Sequence, residues 1–468
     1  MRRHFNKTKC FFVGNISYPA IEWPAVVLPK QIEKMKYLVL ILAFLASPFW
    51  IKAQETVPIT KDEVIAKVRE GNSMLKMAEQ DALMAQGDYQ QTNAVLLPSL
   101  SISHTGIATT NPLMAFGSKL NQEILTQADF DPSLLNDPRQ IEDFATRMEV
   151  RQPLLNFDGI YQRKAAKAKW MASELQSERT REYMALEVEK AYMQLQLAYK
   201  TVEVLEKAKK TAMENKRIAD NSFKQGYLQK SDVLAVEVHV TEIDNQLQYA
   251  ESNILNASNY LSVLMHDTSY QILRPADSLT VIDHEALVAA FPENRKDIRA
   301  LDAASEAYKQ MFRADKMTFL PRLNAFGTYE LHDDAIFQGD AKGYLFGAEL
   351  KWNLFEGGKR FGKIQKSKAE YERSKFQLDQ YRAESQLEMN KAKRGLADAK
   401  NKLKLTSLAM RQSKESFRIR TNRFEQGLEK TTELLMSESQ FAQKQLEYYA
   451  TIYQYNFAQA YLVFLMKE

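Results

Sequence analysis

The stretch Tyr344-Leu345-Phe346-Gly347-Ala348-Glu349-Leu350-Lys351-Trp352-Asn353-Leu354 alternates with a period of two. Tyr344, Phe346, Ala348, Leu350, Trp352 and Leu354 fall on one side, and Glu349, Lys351 and Asn353 fall between them. Successive side chains of a strand point to opposite faces, so a strand here has one apolar and one charged face. Phe144 to Arg151 repeats the pattern, with Phe144, Thr146, Met148 and Val150 against Arg147, Glu149 and Arg151. Leu100-Ser101-Ile102-Ser103 and Leu323 to Leu331 are weaker partners. About ten residues with this two-faced pattern match a transmembrane β-strand whose charged side meets a watery lumen. A half-buried soluble sheet shows the same alternation, but four such segments between long helices favour a barrel. Arg147, Glu149, Arg151, Glu349 and Lys351 are then the expected lumen residues.

Working outward, Gly358 to Phe424 is nearly free of helix breakers, and Thr432 to Leu465 reads as a final helix. That helix carries two apolar stripes. One is Leu435, Ala442, Leu446, Tyr449, Tyr453, Ala460 and Val463; the other is Phe441, Tyr448, Tyr455 and Leu462. Two stripes imply neighbours on two sides. In the first half, Gly159 to Phe223 has no proline and no further glycine, and Met184, Val188, Ala191, Leu195, Ala198, Val202 and Leu205 keep heptad spacing. At ~1.5 Å per residue such a helix is about 95 Å long, too long for a globular core. Thr60 and Glu63 form a capping box for a helix running toward Val95, which Leu97-Pro98 stops. Further helices are expected over Ser231–Leu264 and Asp297–Met317, with Arg274-Pro275 and Pro292 in a connector.

The halves align with each other. Phe223, Gly226, Ser231, Asp232, Leu234 and Glu237 match Phe424, Gly427, Thr432, Glu433, Leu435 and Glu438 at a constant offset, and Glu149, Arg151 and Leu154 match Glu349, Lys351 and Leu354. Shared composition would not bring breakers and strands into register, so the chain reads as a duplication, 54–280 and 281–468.

The chain has 468 residues, 63 Lys+Arg, 59 Asp+Glu and one Cys. Met35-Lys36-Tyr37 followed by an apolar run from Leu38 to Trp50 and a small residue at Ala53 reads as a secretory signal peptide over 35–53, too short to span a bilayer. Residues 1–34 read as an overcalled start. Residues 1–53 hold eight basic and two acidic side chains, so the net +4 becomes about −2 without them, leaving no basic nucleic-acid footprint. Cys10 lies in the same extension, which excludes a disulfide scaffold.

Together these parts resemble the TolC-like outer-membrane efflux protein family over residues 55 to 467. The resemblance rests on the duplicated plan, on the helix approaches Gln152-Pro153-Leu154-Leu155-Asn156-Phe157-Asp158-Gly159 and Leu354-Phe355-Glu356-Gly357-Gly358, and on the Gly226/Asp232 and Gly427/Glu433 turns. Asn294-Arg295-Lys296-Asp297-Ile298 is similar to a family segment in which Pro usually replaces Lys296. The resemblance implies a mainly α fold with four strands per protomer, completed as a trimeric 12-stranded barrel above a periplasmic helical barrel. Geometry agrees, since four strands cannot close a barrel alone. It further implies an outer-membrane conduit working passively with a periplasmic adaptor and an inner-membrane pump.

The family places the two helix turns at the periplasmic entrance, so Gly226, Tyr227, Leu228, Gly427, Leu428 and Glu429 would face the adaptor. A pore-facing acidic ring commonly occupies two positions in the last tip, matching Glu433 and Met436, of which Met436 departs from the pattern. Glu429 also departs, standing where members carry an Arg that helps tie the entrance shut. Asp232 and Glu433 are gate candidates, although each sits where a helix dipole alone favours an anion.

Enzyme patterns are missing. Gly357-Gly358-Lys359-Arg360 lacks the spacing and Ser/Thr of a phosphate loop, no GxSxG or HExxH occurs, and six scattered His suggest no metal or cofactor. The competing expectation is a secreted, elongated coiled-coil envelope protein without a pore. A second alternative, a binding module for an external ligand on the long loop between Gly106 and Asp143, could coexist with the channel.

Overall fold

The structure, a computed structural model, describes residues 56–282 and 290–468. The signal-peptide and start-site expectations lie outside the described residues.

The first half opens with strand β1 (Val57–Ile59) and helix α1 (Lys61–Gly71). Thr60 Oγ1 accepts from Glu63 N at 3.2 Å while Glu63 accepts from Thr60 N at 2.8 Å, the expected capping box. The single helix expected from there to Val95 is broken, with α1 ending before Asn72 and α2 running from Ser73 to Gln91. Asn72 is the cause: its backbone is extended, its Oδ1 caps α2 by accepting from Met74 N and Leu75 N, and its Nδ2 donates to Leu264 O at 2.8 Å. A buried Asn satisfied on both sides fixes the kink. A 3₁₀ turn over Thr92–Val95 then leads to β2 (Ser99–Thr109).

Between β2 and β3 (Ile141–Leu155) the chain forms two short helices, α3 (Pro112–Asn121) and α4 (Pro132–Asn136), where a loop was expected. The long helix α5 (Phe157–Lys224) follows, then α6 (Lys230–Met265) and β4 (Leu273–Pro275). The second half repeats the plan with α7 (Lys296–Met317), β5 (Arg322–Asp333), β6 (Ala341–Lys351), the long helix α8 (Lys359–Glu425) and α9 (Thr431–Met466). None of the described helices is long and apolar enough to cross a membrane.

β2, β3, β5 and β6 form one antiparallel sheet in that order, so the two halves meet at the β3–β5 ladder. β1 and β4 form a separate two-stranded parallel pair that the sequence reading missed, three residues being too short for periodicity to register. This pair lies against the main core, where Ile59, Val64, Val68 and Leu273 pack with the α5 heptad residues Val188, Ala191, Leu195 and Ala198 and with Leu261 of α6. α9 packs on α8 along one side and α5 along the other, as its two stripes required.

Candidate functional site: the helix tips and the polar face of the sheet

Both long helices leave the sheet and end at a turn roughly 100 Å away, given 68 and 67 residues at ~1.5 Å each. The turns are hydrogen-bonded alike. Gly226 (φ +81°) is followed by Tyr227, whose N–H donates to Ser222 O at 2.9 Å; Gly427 (φ +70°) is followed by Leu428, whose N–H donates to Arg423 O at 2.9 Å. This six-to-one bond with a left-handed residue before it is the Schellman arrangement, and positive φ is why glycine occupies both positions. Tyr227 and Leu428 are exposed and Leu228 is half-buried, so both tips present apolar side chains.

Beyond these turns the tips differ. In the first, Asp232 accepts from Gln229 N at 3.2 Å, so its carboxylate caps its own helix. In the second, Arg420 Nη1 donates to Glu433 Oε2 at 2.7 Å and to Glu429 Oε1 at 3.3 Å, while Arg423 Nε reaches Glu429 Oε2 at 3.0 Å. Sequence reasoning saw the reversed charge at Glu429 but missed its partners; Arg420 and Arg423, one turn apart at a helix end, were the available signal. Met436 lies on the exposed side of α9.

Two further clusters were missed. Eleven residues past Gly427, Glu438 is buried between helices, accepting from Asn215 Nδ2 of α5 at 2.7 Å with His239 Nε2 of α6 3.7 Å away. Burial pushes the Glu438 carboxyl up to about 7, Asn215 acting against it, and burial pushes the His239 imidazole below its usual range. Its repeat partner Glu237 instead pairs near the surface with Lys216 at 3.2 Å. The second cluster explains the Asn294–Ile298 segment. Arg295, almost fully buried, donates to Asp297 Oδ1 at 2.7 Å and to Ser385 Oγ of α8 at 2.8 Å; Asp297 Oδ2 accepts from Tyr381 Oη at 2.8 Å and faces Arg179 Nε of α5 at 3.3 Å. Burial alone would raise the Asp297 carboxyl, but the Arg295 bond and the Arg179 charge hold it below its usual range. Four helices are pinned here, since Arg179 also donates to Phe464 O of α9.

At the other end of the molecule the sheet register sorts side chains onto two faces. Ser99↔Arg151, Ser101↔Glu149 and Ser103↔Arg147 are opposed across β2–β3, and Arg147↔Glu330 and Glu149↔Thr328 across β3–β5. Glu349 lies opposite Asn324, and Lys351 opposite Arg322, on this same polar face. Arg147 Nε pairs with Glu330 Oε1 at 2.6 Å, and Arg151 with Glu149. The opposite face carries Leu100, Ile102, Met148, Val150, Tyr329, Tyr344, Phe346 and Leu350, every one exposed in the single chain. The expected lumen residues therefore share one face, and an apolar band covers the other. The strands are 11 to 15 residues long, enough to span a bilayer at a barrel tilt.

Comparison with known proteins agrees with this geometry. Among solved structures, the Campylobacter jejuni CmeC outer membrane channel is similar over 96% of this chain and 94% of its own, with TM-score 0.75 and 17% identity. The open state of the Neisseria gonorrhoeae MtrE outer membrane channel covers 87% and 88%, with TM-score 0.71 and 16% identity. The Vibrio cholerae outer membrane protein VceC covers 86% and 95%, with TM-score 0.72 and 16% identity. At such identities these likenesses speak for the fold. No curated protein sequence matches the chain. The profile described as Outer membrane efflux protein matches residues 64–265 and 287–466, once over each half, and the chain belongs to that family of outer-membrane channels.

Proposed function

We propose that this efflux channel works as a homotrimer whose three four-stranded sheets close one 12-stranded barrel in outer-membrane lipid, with the helices forming a periplasmic tunnel. The observation that carries this reading is the sheet itself: an exposed apolar face, a charged face, and outer edges of β2 and β6 that pair with no other strand among the described residues. Unpaired strand edges in hydrocarbon are too costly to persist, so the edges must pair with other copies. The repeats 54–280 and 281–468 then alternate around the tunnel. Solutes enter at the helix tips, handed over by an inner-membrane pump through a periplasmic adaptor that meets Gly226, Tyr227, Leu228, Gly427, Leu428 and Glu429. The drive for transport belongs to the partners.

Glu433 and Met436 constrict the entrance, with Asp232 at the matching place in the first tip. Arg420 already neutralises part of the Glu433 charge within its own protomer, so the constriction is less acidic than a bare carboxylate ring. Purified protein in planar bilayers tests the reading. Trimers should survive detergent extraction and conduct ions, and Glu433→Ala should change both conductance and block by divalent cations. Conductance and block unaltered by Glu433→Ala would sink the gate assignment; a protein that stays soluble after lysis without detergent would instead favour the pore-free coiled-coil rod.

A further inference from the structure

The segment between β2 and β3 sits at the end of the sheet away from the long helices, and it is built, not slack. Asn111 Oδ1 caps α3 by accepting from Met114 N at 3.2 Å, and Pro112 occupies the first turn. Lys119 Nζ pairs with Asp129 Oδ1 at 2.5 Å, Asp129 Oδ2 accepts from Thr126 N at 2.8 Å, and Phe116 meets Phe130 edge-on at 5.7 Å. After α3, the buried Gln122 donates to Glu142 O at 2.7 Å and to Asp143 Oδ1 at 3.2 Å, and Asp143 in turn meets His332 Nδ1 at 3.1 Å.

Asp143 and His332 lie on the polar face of the sheet, by the same parity as Arg147 and Glu330. Ala341 of β6, opposite His332, is buried on that face, and α3 packs against both β3 and β6. The insert is thus folded onto the lumen wall, not outward over lipid. Its helix is inverted in character. The side against the sheet carries Ala115 and Ser118, both buried, whereas about 180° around the helix Leu113 is 81% and Leu120 is 55% exposed. A helix that ended its contacts there would carry its apolar side inward.

We propose that Leu113 and Leu120 of the three protomers meet at the threefold axis and form an apolar constriction at the outer mouth of the lumen. This rests on the trimeric barrel proposed above. With ~4.8 Å between strands and a tilt of ~40°, a 12-stranded barrel has a radius of about 12 Å, and a helix laid on its wall is about 10–12 Å thick. Three copies of α3 therefore reach the axis, where each supplies the apolar surface the others lack. A ring of leucines that narrows a pore excludes water and ions by dewetting, leaving passage to a solute that can spread the helices apart. The channel then has a second barrier, remote from the helix tips.

Cysteine capture and conductance test this together. Cys10 is the one cysteine of the chain, so Leu113→Cys made together with Cys10→Ser carries a single thiol, at an exposed position. A three-armed maleimide should convert detergent-stable Leu113→Cys trimers to covalent trimers, while Tyr344→Cys, on the apolar outer face, should stay monomeric on denaturing gels. The double variant Leu113→Asp with Leu120→Asp should raise single-channel conductance about threefold by wetting the constriction. Native trimers that neither cross-link through Leu113→Cys nor gain conductance in the double variant would overturn the constriction while leaving the channel reading intact. Protein that is monomeric and non-conducting from the outset would overturn both.

Discussion

The two long helices are repeat partners of nearly equal length, yet they live in different surroundings. α5 buries twenty-one residues, and its centre is apolar: Met184, Leu186, Val188, Ala191, Tyr192, Met193 and Leu195. α8 buries nine, among them Ser367, Ser374, Ser385 and Ser413, while Phe376, Leu387 and Leu405 remain exposed. α5 is surrounded within its own chain by α2, α6, α7 and α9, whereas α8 touches chiefly α7 and α9. The serines let α8 lie close to its neighbours, as at Ser305 Oγ and Ser374 Oγ, 3.0 Å apart. One repeat thus supplies the axis of the protomer, and the other supplies a flank whose apolar side chains await a neighbouring protomer in the proposed trimer. Duplication preserved length and turns while burial diverged.

The largest effect should come from cutting the link between these helices. Asp297→Ala leaves Arg295 buried without its counter-charge and Arg179 with Glu182 alone, and should cost about 3–5 kcal/mol, read as a lower unfolding midpoint by circular dichroism in detergent. A midpoint within error of the parent would mean that the cluster does not join the two helices energetically. Next, Leu195→Ala in the fully buried α5 seam should cost about 2–5 kcal/mol through transfer and cavity terms. Phe376→Ala on α8, 70% exposed in the protomer, should leave subunit folding nearly unchanged but lower the temperature at which trimers dissociate on gels. Equal losses of subunit stability from the two would break the comparison.

Glu438 offers a test with pH as the variable. Its folded pKa, about 7, lies above the ordinary carboxylate value, so the neutral form is the one the fold favours, and its stabilisation is present at low pH and lost as pH rises through 7. His239 acts oppositely, its depressed pKa making acid unfavourable below the usual imidazole range. Glu438→Gln keeps an acceptor for Asn215 and removes the charge. Between pH 5 and 8 the parent should therefore lose about 2–3 kcal/mol relative to Glu438→Gln; parallel stability profiles would show that Glu438 does not titrate there. Glu237→Gln, at the repeat-related surface position, should shift stability by under about 1 kcal/mol at any pH, the loss of a solvent-exposed ion pair with Lys216. The smallest change is expected for Ser374→Ala, within about 1 kcal/mol, since the hydrogen bonds lost, with Ser305 Oγ and to Tyr371 O, are each modest and the methyl still fits.

Alternation at Tyr344–Leu354 and Phe144–Arg151, breaker-free helices after them, and glycine at 226 and 427 were legible in the chain alone, because periodicity and positive φ are local properties. They sufficed for the order of the long helices and the four sheet strands, the polarity of the strands, the duplication and the family. What they could not convey is which residue meets which across the fold. Asn72 reads as an ordinary polar helix residue until Leu264 O is found beside it, and Glu438 looks like Glu237 until Asn215 and His239 enclose it. Arg420 with Glu429 and Glu433 across the tip turn, Asp297 with Arg179 of α5, and the turn of α3 onto the polar face are decided likewise by contacts that only the fold makes. Burial and charge pairing depend on neighbours that only the folded chain brings together, and the remaining exposed flank of α8 is the surface that the proposed trimer would cover.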